Sequence, residues 1–347
     1  MHSWQCERVR RTLGLYCALV LVSFFCSSLG LCQSDSQVPG KPEPESLRDF
    51  RRGDAQLSIR GDGSDLTVTT SQRLSGGVDS IRWNGMEFID SYDHGRQMQT
   101  AVSYDAGASG EYWAERFNPT ECGSRRDGVG PSSSSRLLAI AGTERELRTS
   151  TQMAFWLAPD EFSFGRSALN TKVLSDQILH KRIRLGVYTD PRVIEVAMTL
   201  QTPATQLHRF VQYEVLTGYM PECFSKFYGL DSKSGELVEL SDGPGEQAMP
   251  IVFSTEDNRF AMGAIAMGRP DWITEPTGYG RFRFEQERVV KWNVVMRYRK
   301  APELDRFQAS FRVCVVVGGL QEVRSAMKSL QDGTLAEVAE PVDSKPK

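Results

Sequence analysis

Segment after segment of this chain alternates apolar and polar residues with a period of two, and almost nothing between these segments repeats at helical spacing. Successive side chains of a strand point to opposite faces, so the alternation predicts strands with one buried face. In 194–200, Ile194, Val196, Met198 and Leu200 alternate with Glu195, Ala197 and Thr199. Further strands are expected at 55–60, 66–72, 78–83, 86–90, 209–216, 236–240, 250–254, 260–267, 281–285, 289–298 and 307–317. Short connections with turn residues, such as Asp242-Gly243, Pro244-Gly245 and Gly280, separate several of them. Only 320–330 carries a helical stripe, formed by Leu320, Val323, Met327 and Leu330. Parallel strands would need crossover helices, so the pattern predicts an all-β fold, a large antiparallel β-sandwich with one short C-terminal helix. No internal repeat divides it, and one domain over 55–336 is the economical organisation.

The best local signal is a hairpin. Residues 78–83 and 86–90 flank Asn84-Gly85, a pair that tolerates the positive φ angles of a type I′ turn. Ile81 and Trp83 then share a face, with Met86 and Phe88 packing from across the turn.

The ends differ from this body. Arg8, Arg10 and Arg11 precede an uncharged apolar run from Leu13 to Leu31, after which the chain turns polar. That is the layout of a secretory signal peptide over 1–32, with Ser27, Ser28 and Gly30 as small residues near a cleavage site. A retained membrane anchor is the alternative. Cys32 follows the bulky Leu31, which argues against lipidation. Residues 33–54 read as a polar spacer and 337–347 as a polar tail. An exported location, in the envelope or outside the cell, is the expectation.

Charge and cysteine content narrow the partners. Without 1–32 the chain holds 38 basic and 43 acidic residues, a net charge of −5. No basic cluster is present, so nucleic acid is not an expected partner, nor is a membrane beyond the leader. Four of the seven cysteines lie in the leader; Cys122, Cys223 and Cys314 remain. Cys314 sits within an apolar run and reads as a core residue. Cys122 and Cys223 occur in the parallel contexts Pro-Thr-Glu-Cys and Pro-Glu-Cys, and an oxidising compartment permits a disulfide between them.

Residues 91–136 break the alternation. The stretch is rich in glycine and gathers Tyr92, Asp93, His94, Arg96, Gln97, Gln99, Tyr104, Tyr112, Trp113, Arg116, Asn118 and Glu121. A long segment carrying this many large aromatics is expected to be a functional loop.

Two segments here carry a resemblance. Gly76-Gly77-Val78-Asp79-Ser80-Ile81-Arg82-Trp83-Asn84-Gly85-Met86-Glu87-Phe88-Ile89-Asp90 resembles the early hairpin of galactose mutarotase-like (aldose epimerase-like) β-supersandwich domains. Asp93-His94-Gly95-Arg96-Gln97-Met98-Gln99 resembles the strand those domains place at their sugar cleft. The same Asp-His-Gly-Arg segment, with Asn118 to Glu121 and Ser241 to Gln247, also resembles a group of exported bacterial proteins. The resemblance implies a carbohydrate partner. It also implies general acid–base chemistry by a histidine and a carboxylate if the chain is catalytic.

On that basis His94 and Glu121 are the expected catalytic pair, with Arg96, Gln99, Asn118, Trp113 and Tyr228 as substrate-binding residues. Each has a plainer reading: His94 and Arg96 as a surface pair, Glu121 as a partner of Arg125 or Arg126, the aromatics as core. His180 and His208 lie in no motif. Ser241 to Gln247 reads as turn chemistry, not a phosphate loop. No Gly-x-Ser-x-Gly elbow, zinc spacing or calcium loop is present, so neither metal nor cofactor is expected. A carbohydrate-active protein is the resulting expectation, and a non-catalytic carbohydrate-binding or structural envelope protein is the alternative.

Overall fold

Asn84 and Gly85 take φ angles of 48° and 84° in the computed structural model, the two left-handed residues a type I′ turn requires. Trp83 and Met86 pair directly across the turn. Ile81 and Phe88 are sealed in the core on either side. The structure describes residues 52–61, 64–105, 112–203, 208–304 and 308–338, all within one unit spanning Ser46–Lys347. The expected leader and most of the spacer and tail lie outside the described residues.

In chain order the strands are β1 (Ala55–Gly61), β2 (Ser64–Ser71), β3 (Gly77–Trp83), β4 (Met86–Glu87), β5 (Met98–Tyr104), β6 (Pro119–Thr120) and β7 (Arg136–Gly142). There follow β8 (Glu146–Phe155), β9 (Phe162–Ser163), β10 (Arg166–Ser167), β11 (Leu174–Leu185), β12 (Val193–Gln201), β13 (His208–Pro221) and β14 (Lys226–Leu230). The last are β15 (Leu237–Leu240), β16 (Gly245–Gln247), β17 (Ile251–Ser254), β18 (Ala261–Ala266), β19 (Gly278–Phe284), β20 (Val289–Leu304) and β21 (Gln308–Gly318), before α1 (Leu320–Gln331).

Antiparallel pairing arranges most of these into two ribbons. One runs β1-β2-β3-β5-β13-β20-β19-β16. The other runs β7-β8-β11-β12-β21-β18-β17-β14-β15. Short β6 pairs with β5 of the first and β8 of the second, tying the two together. Both ribbons feed one apolar core, in which Val78, Ile81, Tyr213 and Trp292 of the first join Leu179, Val196, Phe311 and Val315 of the second. The Tyr213 and Phe311 rings meet at 5.0 Å. The result is the expected antiparallel β-sandwich, with one α-helix among the described residues.

The two outer faces are treated differently. On the second ribbon α1 covers Val252, Ile265 and Val316 with Val323, Met327 and Leu330, the stripe read from the sequence. Its N-terminus is closed by the Glu322 carboxylate, which accepts the Gly319 N–H at 2.8 Å; a carboxylate there also suits the helix dipole. Among the described residues no helix lies over the face of the first ribbon opposite the core, and that face carries polar side chains beside a few aromatic rings.

The segment 91–136 is not one loop, because it contains β5 and β6. All seven residues of β5 are buried. A strand buried on both faces, with Gln99, Thr100 and Ser103 among its residues, loses the apolar–polar alternation by which a half-buried strand is recognised.

Candidate functional site

Alternation along β13 and β20 sorts their side chains. Tyr213, Met220, Trp292, Val294 and Met296 enter the core. Gln212, Glu214, Thr217 and Tyr219 share the opposite face with Lys291, Asn293 and Arg297 of β20.

These groups engage one another. Lys291 Nζ donates to Glu214 Oε2 at 3.1 Å, and the Thr217 hydroxyl donates to the same oxygen at 2.9 Å. Arg297 donates from Nε to Gln212 Oε1 at 2.8 Å, and from Nη1 and Nη2 to the two carboxylate oxygens of Glu246 at 2.6 and 2.7 Å. The fork geometry of guanidinium suits this bidentate grip. Asn293 Oδ1 accepts the Gly280 N–H at 3.0 Å. Glycine at 280 makes room for that contact, since a Cβ there would lie 2.2 Å from Asn293 Oδ1. Gly278 does the same for Glu246.

Burial would raise the Glu214 carboxyl, but Lys291, Thr217 and Asn293 outweigh it and hold the group below the usual carboxylate range. Burial would likewise lower Lys291, yet the charge of Glu214 and the neighbouring Tyr219 drive it upward. Burial pushes the Tyr219 phenol up. The pair is therefore ionised at neutral pH, and Tyr219 keeps its proton.

Beside this polar row lies an aromatic strip. The rings of Tyr219 and Phe284 are 6.2 Å apart at 22°, and those of Phe284 and Phe282 are 6.3 Å apart at 17°. All three are half-buried, and Lys291 Nζ lies 5.4 Å from the centroids of both Tyr219 and Phe282. At one end stands half-buried Arg96, paired with Asp93 at 3.1 Å and 5.1 Å from the Tyr92 ring centroid. At the other, Tyr112 packs on Phe210 with ring centroids 3.9 Å apart. Three nearly parallel rings beside fixed amide, carboxylate and cationic groups can receive a flat, hydroxyl-rich molecule.

The residues singled out from the sequence are dispersed. Arg96 borders this face. Gln99 is buried, accepting the Cys122 N–H at 3.2 Å and donating to the Gly95 carbonyl at 3.3 Å. Asn118 donates to the Val102 carbonyl at 2.8 Å and Ser103 Oγ at 3.0 Å, fixing backbone. Trp113 lies under the Arg166 guanidinium at 4.7 Å and meets Phe164 edge-on. Tyr228 sits on β14 of the other ribbon, against the core beneath α1.

His94 and Glu121 do not form an exposed acid–base pair. His94 is fully buried, its Nδ1 2.8 Å from the Gly128 carbonyl and its Nε2 2.9 Å from the Arg73 carbonyl. Both ring nitrogens are thus committed to holding backbone. Glu121 is fully buried as well; it bonds to Lys181 Nζ and accepts the Thr100 N–H at 3.0 Å. Its partner is neither Arg125 nor Arg126, which reach Glu161 instead. Cys122 and Cys223 are both free, the first buried and the second exposed, and do not form the disulfide that an oxidising compartment would permit.

A depression of about 520 Å³ lies elsewhere, lined by residues that include Met249, Ile265, Met267, Arg269, Tyr279 and Leu330. Arg269 there is spent on the Ile273 and Glu275 carbonyls. Its lining mixes apolar side chains with Ser232, Thr277 and Gln331. Among the described residues no group of three or more His, Cys, Asp or Glu is placed to hold a metal ion.

No protein-family model matches the chain, and no curated protein matches it by sequence. Several solved structures are similar. A candidate aldose 1-epimerase from Escherichia coli K12 is 10% identical over 77% of this chain and 100% of its own, with a TM-score of 0.43. A galactose mutarotase related enzyme from Lactobacillus acidophilus is 9% identical over 76% and 98%, with a TM-score of 0.38. An α-galactosidase from Lactobacillus brevis is 8% identical over 82% of this chain but 42% of its own, with a TM-score of 0.40. Galactose mutarotase-like proteins thus stand among the structures similar to this chain, and at such identity the likeness concerns fold alone.

Proposed function

We propose that this chain is an exported carbohydrate-binding protein that holds a saccharide on the polar face of β13, β20 and β19. The observation that carries the reading is the near-parallel strip of Tyr219, Phe284 and Phe282 beside Glu214, Lys291 and Asn293. The C–H faces of a pyranose pack on such rings while amide and charged groups bond its hydroxyls. The polar groups are already held by one another, so little side-chain freedom is lost when a sugar arrives.

Binding is favoured over conversion by what the face contains. Epimerisation by acid–base catalysis needs a second group to deliver or remove a proton near neutral pH. Among the described residues no histidine lies on this face: His94 is interior, His180 bonds Ser150 on β8, and His208 pairs with Asp105. Glu214 is held ionised by Lys291. Export rests on the leader, with its basic start and uncharged apolar run.

Purified protein titrated with a panel of mono- and polysaccharides, by calorimetry with parallel product analysis, tests the reading. Binding without product is expected, weakened about tenfold or more by Phe282→Ala, in line with the loss of a stacked ring at a binding hot spot. Absence of binding across the panel, or binding indifferent to Phe282→Ala and Asn293→Ala, overturns it. Product formation lost in Glu214→Gln would replace binding with catalysis.

A further inference from the structure

Position 181 carries the one charge in the inward-facing row of β11. Leu179, Ile183 and Leu185 enter the core on the same side, yet the residue among them is a lysine whose side chain is 1% exposed. It meets Glu121, 0% exposed, which follows β6 at the point where the two ribbons are tied. Lysine carries three donors and no acceptor, and among the described residues the Glu121 carboxylate is the one group that accepts from it. Desolvating two charges for a single contact is costly.

We propose that Lys181 and Glu121 condense to an amide, a covalent cross-link between the two ribbons of the sandwich. A proton first passes from the Lys181 ammonium to Glu121 Oε1, which frees the electron pair on Nζ; Nζ then attacks Glu121 Cδ, the C–N bond forms, and the Cδ–Oε1 bond breaks. Two of the three ammonium protons leave with Oε1 as water, and the third remains as the amide N–H, so no oxidant or co-reactant is needed. The Thr100 N–H, 3.0 Å from Oε2, bears on the oxygen that gains negative charge at the tetrahedral stage and afterwards bonds the amide carbonyl. Direct contact of the reacting groups in a fixed interior supplies the proximity that drives such a step, and exclusion of water protects the product from hydrolysis. The link converts a poorly satisfied ion pair into a neutral amide.

Tryptic mapping of the purified full chain tests this without any variant. The expected product is residues 117–125 joined to 173–182, lighter than the two peptides together by one water and uncleaved after Lys181. Lys181→Met abolishes it. Recovery of 117–125 and 173–181 as separate, unmodified peptides in full yield overturns the proposal and leaves the pair ionic. That outcome is independent of whether the β13–β20 face binds sugar.

Discussion

Lys291 Nζ lies 3.1 Å from Glu214 Oε2 across the β13–β20 ladder, with side chains only 14% and 18% exposed. Removing one partner leaves the other charge poorly solvated. Glu214→Gln and Lys291→Met are each expected to destabilise by roughly 1–3 kcal/mol, with the double variant recovering part of the loss. The folded pKa of Glu214 is lowered, so its contribution is complete above the unfolded carboxyl value of about 4.3 and fades as pH falls through the folded value. The folded pKa of Lys291 is raised, so its contribution is complete below about 10.4 and fades as pH rises through the folded value. Urea unfolding of the four proteins at pH 7, where both contributions are complete, measures the coupling.

Gly280→Ala probes the face without touching a charge. The new methyl would stand 2.2 Å from Asn293 Oδ1 and 3.0 Å from the Phe282 ring. Both neighbours must turn, which moves one hydrogen-bonding group and one ring of the proposed sugar platform. A stability loss of about 1 kcal/mol is expected, together with a larger fall in saccharide affinity. Thermal melts beside calorimetric titrations separate the two effects, and unchanged affinity would remove Asn293 and Phe282 from the binding face.

His208 Nδ1 is 3.0 Å from Asp105 Oδ1, while its Nε2 has no partner among the described residues. Burial lowers its pKa despite the attraction of Asp105. Because the folded value lies below the unfolded value of about 6.5, its contribution to stability is complete above that pH and is lost as pH falls through the folded value. His208→Asn should flatten the decline in stability from pH 7 downward. Asp105 retains the Arg209 and Phe210 N–H groups, at 2.9 and 3.1 Å, in that variant. Denaturant midpoints from pH 7 to pH 5 give the slope.

What was legible in the sequence follows from where its polar residues point. The hairpin at Asn84-Gly85, β12 and α1 each bury an apolar stripe, and each was readable. β5, buried on both faces, and β11, with Ser175, Gln177 and Lys181 at inward positions, hide their period behind polar residues that the fold satisfies internally. Most of the residues read as a site are drawn inward for the same reason. His94, Gln99, Asn118 and Glu121 look chemical in the sequence, but tertiary packing uses them to bond buried backbone and, at Glu121, Lys181. Glu214 and Lys291 stand on strands that were anticipated, at positions whose parity assigns them to a polar face. Their meeting depends on the pairing of two strands far apart in sequence, which alternation does not encode.

The cysteines give a direct chemical check on the packing. Cys122 Sγ fills the space beside Gly77, where a Cβ would lie 2.2 Å away, and burial pushes its thiol well up. Cys314, beneath α1, is pushed to about 12, chiefly by burial. Cys223 is raised as well, again mainly by desolvation, but it is exposed. Thiolate is the reactive form, and access decides which thiols a reagent reaches. Of these three, Cys223 alone is expected to react with a disulfide reagent in the native protein at pH 8, and all three after denaturation. A reductant should leave the melting temperature unchanged. A shift of several degrees on reduction, or a native protein with no reactive thiol among the three, would mean that Cys122 and Cys223 pair, which would require opening the packing around Gly77.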